Sequence, residues 1–426
     1  MGRNPPVLLA NADWYGTLAA VRELGRRDIQ VCVASSKWLT PARWSRRAAR
    51  QLSCPDERDT ERYANWLVEL GRRNRGIVLC HTSDNIAFVH AAHERELGNS
   101  FVLATPNVAT LRELLDKQRL YEHARRIGLR TPETLFLSDR ANVDEVARQA
   151  PWPLLLKQRS HVGALSPHTG IPVREPAQLG IAYARFMRRN NFRADVLARW
   201  PGLDGAMLQK YLPDCSGRIY CLAGFISRDG KHWATRAALK VLSYPRYLGI
   251  GLLFQHAAVL PHLEDGVLQL CRTVGYFGTF QCEFLECPDE HLLIDFNPRF
   301  YNYMAFDHAR GLPQAYLSYL LATGGDAEQL RLEIDRARAS PATAERMVYA
   351  NRLGTWIQLH LERLFRRIPH EEVAKWRAWR ETAPTVIDPV WAANDWRPAI
   401  ADLLLRLRHM ARHPRDFLRT NTQKAF

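Results

Sequence analysis

The residues best suited to chemistry lie in the segment Tyr276–Tyr301, which reads YFGTFQCEFLECPDEHLLIDFNPRFY. One apolar run carries Glu283, and a polar turn separates it from a second apolar run that carries Asp295, Asn297 and Arg299. Two short apolar runs joined by such a turn predict a β-hairpin. Because side chains alternate faces along a strand, Asp295, Asn297 and Arg299 share one face, and Glu283 can face them from the partner strand.

This group of oxygen atoms predicts a magnesium site. Two carboxylates and an amide oxygen suit Mg²⁺, which takes one or two protein carboxylates and completes its shell with water and phosphate oxygens. Arg299 would then lie beside the phosphate. The alternative is a surface hairpin with scattered charges, in which Asn297 and Pro298 form an ordinary turn. Burial favours the metal, because Asp, Asn and Arg on a half-buried strand are costly unless they have partners.

Length and composition frame the rest of the chain. A chain of 426 residues exceeds one ordinary core and predicts two or three domains. Hydrophobic residues at 46% and charged residues at 24% are usual for a globular protein. No apolar run approaches the roughly 18 residues that span a bilayer, and the apolar run at the N-terminus is too short for a signal peptide. We therefore expect a cytoplasmic protein.

The cysteines and the charge exclude some classes of function. The eight cysteines show no paired short spacing, so we expect reduced, mostly buried thiols rather than a disulfide framework or a zinc site. A net charge of +15 fits nucleic acid, an anionic membrane or anionic small substrates. The arginine clusters are dispersed and no recognisable nucleic-acid module accompanies them, so no nucleic-acid partner is expected.

The first 110 residues alternate strand and helix, which predicts a parallel α/β unit. The expected strands are Val7–Ala10, Ile29–Ala34, Gly76–Leu79 and Phe101–Ala104. The G-x-G-x-x-G fingerprint is absent, which disfavours NAD binding.

Two loops of this unit are candidates for substrate contact, because ligands bind at the carboxyl ends of parallel strands. They are Asn11–Tyr15 and His81–Asn85. The alternative for both is ordinary helix capping by Asp13, Ser83 and Asp84.

The middle of the chain offers cations at strand ends. An amphipathic helix is predicted from Leu111 to near Gly128, and the strand Trp152–Gln158 follows with Lys157 near its end. An ammonium group there suits a phosphate. The next loop is rich in small residues and could fold over phosphates. Its His161 and His168 are expected to have no catalytic part.

Three more strands are expected before the acidic hairpin. The strand Ala206–Pro213 contains Lys210 and Tyr211, and the carboxylate of Asp214 beyond it could reach a ribose hydroxyl. The other two are Ile219–Ile226 and Trp233–Val241, the second with Lys240. Neither a P-loop nor a protein-kinase signature is present.

In this order the segments resemble the ATP-grasp superfamily over roughly residues 1–325, and most of all its bacterial carboxylate–amine ligases. The resemblance is carried by DKQRL at Asp116, PLLLKQ before Arg159, LQKYLP from Leu208, and an ordered E-F…D-x-N-P-R ending at Arg299. It implies an α/β plus α+β fold with three parts. These are an N-terminal Rossmann-like pre-ATP-grasp domain (1–112), two ATP-grasp lobes (113–325) and a basic, mainly helical C-terminal extension (326–426).

The resemblance also implies roles for single residues around ATP and one or two Mg²⁺ ions. The implied nucleotide contacts are Lys117, Lys157, Gln209, Lys210, Tyr211, Leu212 and Asp214. The implied metal ligands are Glu283, Asp295 and Asn297, and the implied catalytic cations are Lys240 and Arg299. Two positions depart from the family pattern: Asp295 replaces the usual glutamate, and Leu242 replaces an arginine for which Arg246 is a candidate substitute.

The implied activity is an ATP-dependent ligase that activates a carboxylate as an acyl phosphate and joins it to an amine. A thiol acceptor is an alternative, as is another acyl-phosphate transfer such as carboxylation, although no biotinyl-carrier motif occurs. A nucleotide-binding regulatory or membrane-associated protein with little turnover is the non-enzyme alternative. Leu242 favours it, whereas the intact lysines and metal ligands argue against it.

Two segments of the last hundred residues, Trp356–Ile368 and Ile400–Leu418, have apolar residues at helical spacing with arginines between them. Both helices could pack on the core with their arginines outward. Alternatively, they could lie on anionic lipid or dock on a partner.

Overall fold

The fold consists of three β-sheets with helices packed around them. A computed structural model of the protein describes residues 4–137, 143–166, 170–215, 217–244, 246, 249–324, 327–340 and 347–414. The sheets have five, four and seven strands.

The N-terminal sheet is parallel, as the strand–helix alternation predicted. Its strands are Val7–Leu9 (β1), Val31–Ser35 (β2), Ala48–Ser53 (β3), Ile77–Leu79 (β4) and Phe101–Leu103 (β5). The spatial order is β3-β2-β1-β4-β5. The accompanying helices are Tyr15–Arg26 (α1), Thr60–Arg73 (α2), Asp84–Ala92 (α3) and Glu94–Gly98 (α4). Strand β3 was not predicted, because its sequence AARQLS is a polar edge strand without an apolar run.

The helix predicted from Leu111 to Gly128 is in fact two helices, Val108–Leu115 (α5) and Lys117–Arg126 (α6). The break falls at Asp116, whose extended backbone (φ −91°, ψ 108°) ends α5 and whose side chain caps α6 at the amide of Gln118. Asp116 is fully buried, and its carboxylate is compensated by an ion pair with Arg159 at 2.7 Å. The break therefore places Lys117 at the first residue of a helix.

The four-stranded sheet is antiparallel. Its strands are Thr134–Leu137 (β6), Leu154–Gln158 (β7), Ile171–Val173 (β8) and Ala206–Lys210 (β9), in the order β6-β9-β7-β8. Its helices are Val143–Gln149 (α7), Pro176–Met187 (α8) and Ala194–Arg199 (α9).

The seven-stranded sheet contains the predicted hairpin. Its strands are Ile219–Ile226 (β10), Trp233–Tyr244 (β11), Ile250–Ala257 (β12), Gly278–Glu286 (β13), His291–Asn297 (β14), Met347–Ala350 (β15) and Thr385–Ile387 (β16). Their order is β14-β13-β10-β11-β12-β15-β16. Helices Pro261–Val274 (α10), Met304–Ala309 (α11), Gln314–Thr323 (α12) and Ala327–Ala339 (α13) belong to the same part of the chain.

The C-terminal region is mainly helical, with Arg352–Leu364 (α14), His370–Glu381 (α15) and Arg397–Arg412 (α16), but it also contributes β15 and β16 to the large sheet. None of the described helices is long and apolar enough to cross a membrane. Helix α16 packs against the rest of the protein through Pro398, Ala401 and Asp402, and an apolar stripe on its opposite side is exposed.

The expectation that all cysteines are reduced is wrong for two of them. Cys215 and Cys287 form a disulfide, with Cα atoms 4.7 Å apart. They are separated by 72 residues in sequence, so no short spacing marked the pair. The fold brings them together because one follows β9 and the other lies in the turn between β13 and β14. The other six cysteines are free.

Candidate active site

The predicted hairpin forms and brings three oxygen-bearing side chains to one face. Glu283 on β13 lies directly opposite Asp295 on β14, and Asn297 lies opposite Gln281. The two pairs are two residues apart along their strands, so the side chains of Glu283, Asp295 and Asn297 share one side of the sheet. The Nδ2 atom of Asn297 donates to Oε1 of Gln281 at 2.7 Å, which orients its Oδ1 atom away from Gln281.

Two lysines cover the carboxylates. Nζ of Lys117 lies 2.5 Å from Oδ1 of Asp295, and Nζ of Lys240 lies 3.2 Å from both carboxylate oxygens of Glu283. Burial raises the pKa of Asp295, but Lys117 and its neighbours outweigh burial and hold that pKa at about 2. Burial lowers the pKa of Lys240, yet Glu283 and other anions outweigh it, so that this pKa is raised. Asp295 and Lys240 are therefore charged at neutral pH.

This donor set fits Mg²⁺. Two carboxylates directly opposite each other, with an amide oxygen two residues away, supply the one or two protein carboxylates that Mg²⁺ uses together with phosphate and water oxygens. In the described part of the chain no three His, Cys, Asp or Glu side chains cluster as a metal cage. A magnesium site shared with phosphate does not need such a cage.

A cavity of about 170 Å³ opens on the lysine side of the hairpin, between the four-stranded and seven-stranded sheets. One end is polar, with Lys157 and Gln209 beside Lys117 and Lys240. The other end is apolar, with Leu155, Ile219, Leu285 and Ile294 in its walls. A cavity with cations at one end and apolar walls at the other suits a nucleotide.

The polar end of the cavity also alters Lys157. Its Nζ atom donates to Oε1 of Gln209 at 3.3 Å, while Nε2 of Gln209 donates to the hydroxyl of Tyr121 at 2.9 Å. Burial, and then the neighbouring charge of Lys117, lower the pKa of Lys157 to about 8. A phosphate bound at this end would place negative charge beside Lys157 and favour its protonated form.

The segment after β9 borders the apolar end of the cavity, but two of its three amides are engaged. The N–H of Lys210 donates to the carbonyl of Glu133, and the N–H of Tyr211 donates to the carbonyl of Pro153, both at 2.9 Å. The N–H of Leu212 makes no hydrogen bond within the described part of the chain. Of the three, Leu212 is therefore the amide suited to donate to a purine. The side chain of Asp214 lies outside the described residues.

A second cavity, of about 240 Å³, lies on the other side of the same charged cluster. Lys117, Lys240, Glu283 and Asp295 line both cavities. Trp14 and Asp84 of the N-terminal unit also line the second cavity, and they come from the two loops considered for substrate contact. Ser83 also caps α3, so the capping alternative holds for that residue.

Arg299 lies in the wall of the second cavity, two residues past the end of β14 rather than on the strand. Its guanidinium donates to Oδ1 of Asp84 at 2.9 Å and to Oδ1 of Asn297 at 2.8 Å, and it lies over the ring of Trp14. These contacts fix the cation at the border between the N-terminal unit and the hairpin.

Arg246, the candidate substitute for the arginine absent at Leu242, pairs instead with Glu362 at 2.7 Å and Glu372 at 3.2 Å. Leu242 is buried in an apolar cluster beneath α14 and α15. Arg246 therefore holds the C-terminal helices rather than the cavity wall.

His161, for which no catalytic part was expected, lines both cavities. Burial, and then Lys117, lower its pKa to about 4, so the ring is neutral at neutral pH. His161 is identified as a site residue only by its position beside the lysines, which the spacing of residues in the sequence does not reveal. His168 lies outside the described residues.

Several solved structures share the fold of this chain. The biotin carboxylase domain of 2-oxoglutarate carboxylase from Hydrogenobacter thermophilus, solved with MgADP and bicarbonate, matches with a TM-score of 0.58 and 15% identity, over 78% of this chain and 73% of that one. The L-amino acid ligase from Bacillus licheniformis matches with a TM-score of 0.55 and 13% identity, over 76% and 75%. N5-carboxyaminoimidazole synthetase from Staphylococcus aureus matches with a TM-score of 0.55 and 12% identity, over 76% and 79%.

These neighbours carry the fold that the ordered motifs resemble. The chain has the ATP-grasp fold. No protein-family model matches the chain, and no curated protein matches its sequence. The likeness is therefore visible in the fold and not in overall sequence identity.

Proposed function

We propose that this protein is an ATP-dependent ligase that activates a carboxylate as an acyl phosphate and joins it to an amine, releasing ADP and phosphate. The observation that carries the proposal is the meeting of two cavities at one cluster of charges, Lys117, Lys240, Glu283 and Asp295. A nucleotide in the first cavity would direct its terminal phosphate at whatever occupies the second. The ATP-grasp fold and its ligase and carboxylase neighbours support the same class of reaction.

In this proposal the first cavity binds ATP. The purine lies between Leu155 and Ile294 and accepts a hydrogen bond from the N–H of Leu212. Lys157 and Lys117 neutralise the phosphates as point charges. Gln209 holds Lys157 in position and does not need to touch the nucleotide.

Glu283, Asp295 and Asn297 would hold Mg²⁺, which supplies positive charge beside the phosphate oxygens when it is bound. For this, Lys117 and Lys240 must move from the carboxylates to the phosphates. Both lysines are within hydrogen-bond distance of the carboxylates now, so an exchange of partners needs only small side-chain movements.

The chemistry requires cations more than it requires a protein nucleophile. A carboxylate oxygen of the substrate attacks the γ-phosphorus of ATP, and the bond to the β-phosphate oxygen breaks to give an acyl phosphate and ADP. Lys240 and Arg299 offset the charge that gathers on the transferred group. The amine then attacks the acyl carbon, phosphate leaves, and the amine loses a proton. The second cavity would hold the carboxylate and the amine next to the transferred phosphate.

The test is the release of ADP and phosphate across a panel of amino acids, hydroxy acids and other carboxylates, each with and without amines. Hydroxylamine should trap the acyl phosphate as a hydroxamate. Glu283→Gln and Asn297→Ala should reduce ADP formation by at least about a hundredfold, because each weakens the binding of the Mg²⁺ that would neutralise the transferred phosphate. Glu290→Gln, in the turn of the same hairpin, is the matched control and should keep full activity.

Full ligase activity in Glu283→Gln and Asn297→Ala would refute the metal assignment. Nucleotide binding without ADP release by any carboxylate would instead support a regulatory nucleotide-binding protein.

A further inference from the structure

Helix α16 has two different long faces. Its inner face is formed by Pro398, Ala401 and Asp402, which are buried. The carboxylate of Asp402 accepts a hydrogen bond from the hydroxyl of Tyr15 at 2.9 Å, and Arg406 donates to both Asp402 and Tyr15. These contacts attach the helix firmly to the N-terminal unit.

The outer face is apolar and exposed. Five side chains are 40–46% exposed there: Ile400, Leu403, Leu404, Leu407 and Met410. At 100° per residue they occupy an arc of about 120°, centred opposite the inner face. An arc of that width is the apolar stripe that a helix usually turns to the core. Here the stripe points away from the protein, so packing within the described residues does not explain it.

The charges beside the stripe have one sign. Arg397, Arg408 and Arg412 are exposed and make no ion pair with any other residue that the structure describes. The single acidic residue of the helix, Asp402, is buried and paired with Arg406. Two exposed tryptophans, Trp391 and Trp396, precede the helix. The outer surface therefore combines apolar side chains, aromatic rings and positive charge.

We propose that the outer face of α16 docks on an anionic phospholipid membrane and lies in the plane of its interface. Leucine, isoleucine and tryptophan on one side with arginines at the margin are the features of helices that bind in this way. Arginines near an anionic leaflet add attraction that salt weakens. A protein partner would need an apolar groove of matching shape with acidic groups at its margin. An anionic bilayer offers an apolar interior and a negatively charged surface without a fixed shape.

Tyr15, which is hydrogen-bonded to α16, is adjacent in sequence to Trp14, which lines the second cavity. The proposal does not depend on the ligase activity, because it concerns binding and uses residues outside both cavities.

The test is co-sedimentation of the full chain with phosphatidylcholine vesicles, with and without phosphatidylserine. Binding is expected only with phosphatidylserine, and high salt should reverse it. The double variant Leu404→Gln/Leu407→Gln should weaken binding by at least about tenfold, because two half-exposed leucines lose their place in the interface. Arg408→Gln alone should weaken it by about fivefold. Leu332→Gln on α13 is the matched control, because Leu332 is 44% exposed and lies on a different helix.

Three results would overturn the proposal: no binding to phosphatidylserine vesicles, equal binding to pure phosphatidylcholine, or unchanged binding by the double variant. A dimer in sedimentation-velocity experiments that the double variant converts to a monomer, without vesicle binding by the wild type, would assign the face to a second copy instead. Circular dichroism of each variant checks that the fold is retained.

Discussion

The ion pair between Lys240 and Glu283 allows a prediction that is independent of any substrate. Lys240 is 5% exposed and Glu283 is 23% exposed, with Nζ 3.2 Å from the carboxylate. At an effective dielectric constant of about 20, that distance corresponds to a gross attraction of about 5 kcal/mol. Much of this attraction offsets the cost of removing the two charges from water. Glu283→Gln removes the attraction and leaves a buried ammonium group beside a neutral amide.

We therefore expect Glu283→Gln to lower the free energy of unfolding by about 2–3 kcal/mol. Loss of one partner of a fully buried pair costs about 3–5 kcal/mol, and the partial exposure of Glu283 reduces the figure. Without Glu283, burial is the largest influence on Lys240 and lowers its pKa, which limits the loss further. Urea titration of the free protein at neutral pH measures the difference.

The same variant should change how the protein responds to nucleotide. In the wild type, Glu283 and Asp295 repel metal-free ATP, so that ATP should stabilise the protein clearly only when Mg²⁺ is present. In Glu283→Gln, metal-free ATP should stabilise more than in the wild type, because the phosphate replaces the lost partner of Lys240. MgATP should stabilise less.

Unfolding of Glu283→Gln at the same urea concentration as the wild type would contradict the predicted loss of stability. An equal effect of Mg²⁺ on the stabilisation by ATP in both proteins would contradict the metal assignment. Glu290→Gln on the same hairpin separates this effect from a general loss of negative charge, and it should match the wild type in both measurements.

Two further predictions concern Lys157 and the disulfide. Because the pKa of Lys157 is about 8 in the empty site, ATP binding near pH 8 should be accompanied by proton uptake. Calorimetry would show this uptake as a binding heat that depends on the buffer, and Lys157→Met should remove the dependence. A wild type whose binding heat does not depend on the buffer would contradict the assignment of Lys157 to the phosphates. The folded state holds this proton less tightly than the unfolded chain does, so Lys157 lowers stability below pH 8, and the penalty fades as pH rises from 8 toward 10.5. The denatured protein should present six reactive thiols before reduction and eight after it. Cys215→Ala should lower the free energy of unfolding by about 2–4 kcal/mol, because it opens a loop closed across 72 residues. Eight thiols without reductant would show that Cys215 and Cys287 are not bonded.

The acidic hairpin could be predicted from the sequence because its information is local. Alternation along β13 and β14 determines which side chains share a face, and the turn at Pro288 determines which residues pair. The strand rhythm of the N-terminal sheet is local in the same sense. Strand β3 was missed because an edge strand can be held by backbone pairing alone, without the apolar residues that mark a strand in sequence.

Other features depend on contacts between segments that are distant in sequence, and the spacing of residue types along the chain does not indicate these contacts. The break at Asp116 follows from its buried pair with Arg159, 43 residues later. His161 lines the site because the four-stranded sheet folds over the hairpin. The resemblance implied nucleotide contacts for Lys210 and Tyr211, but their amides donate to the carbonyls of Glu133 and Pro153, and only the assembled sheet reveals these bonds.

The disulfide between Cys215 and Cys287 joins the segment before β10 to the turn of the acidic hairpin. Only residues 211–214 separate Cys215 from the end of β9, and Leu212 among them lines the cavity proposed for ATP. Any movement of the end of β9 relative to the hairpin turn would have to occur within these four residues. A nucleotide held at Leu212 would therefore restrict that movement directly.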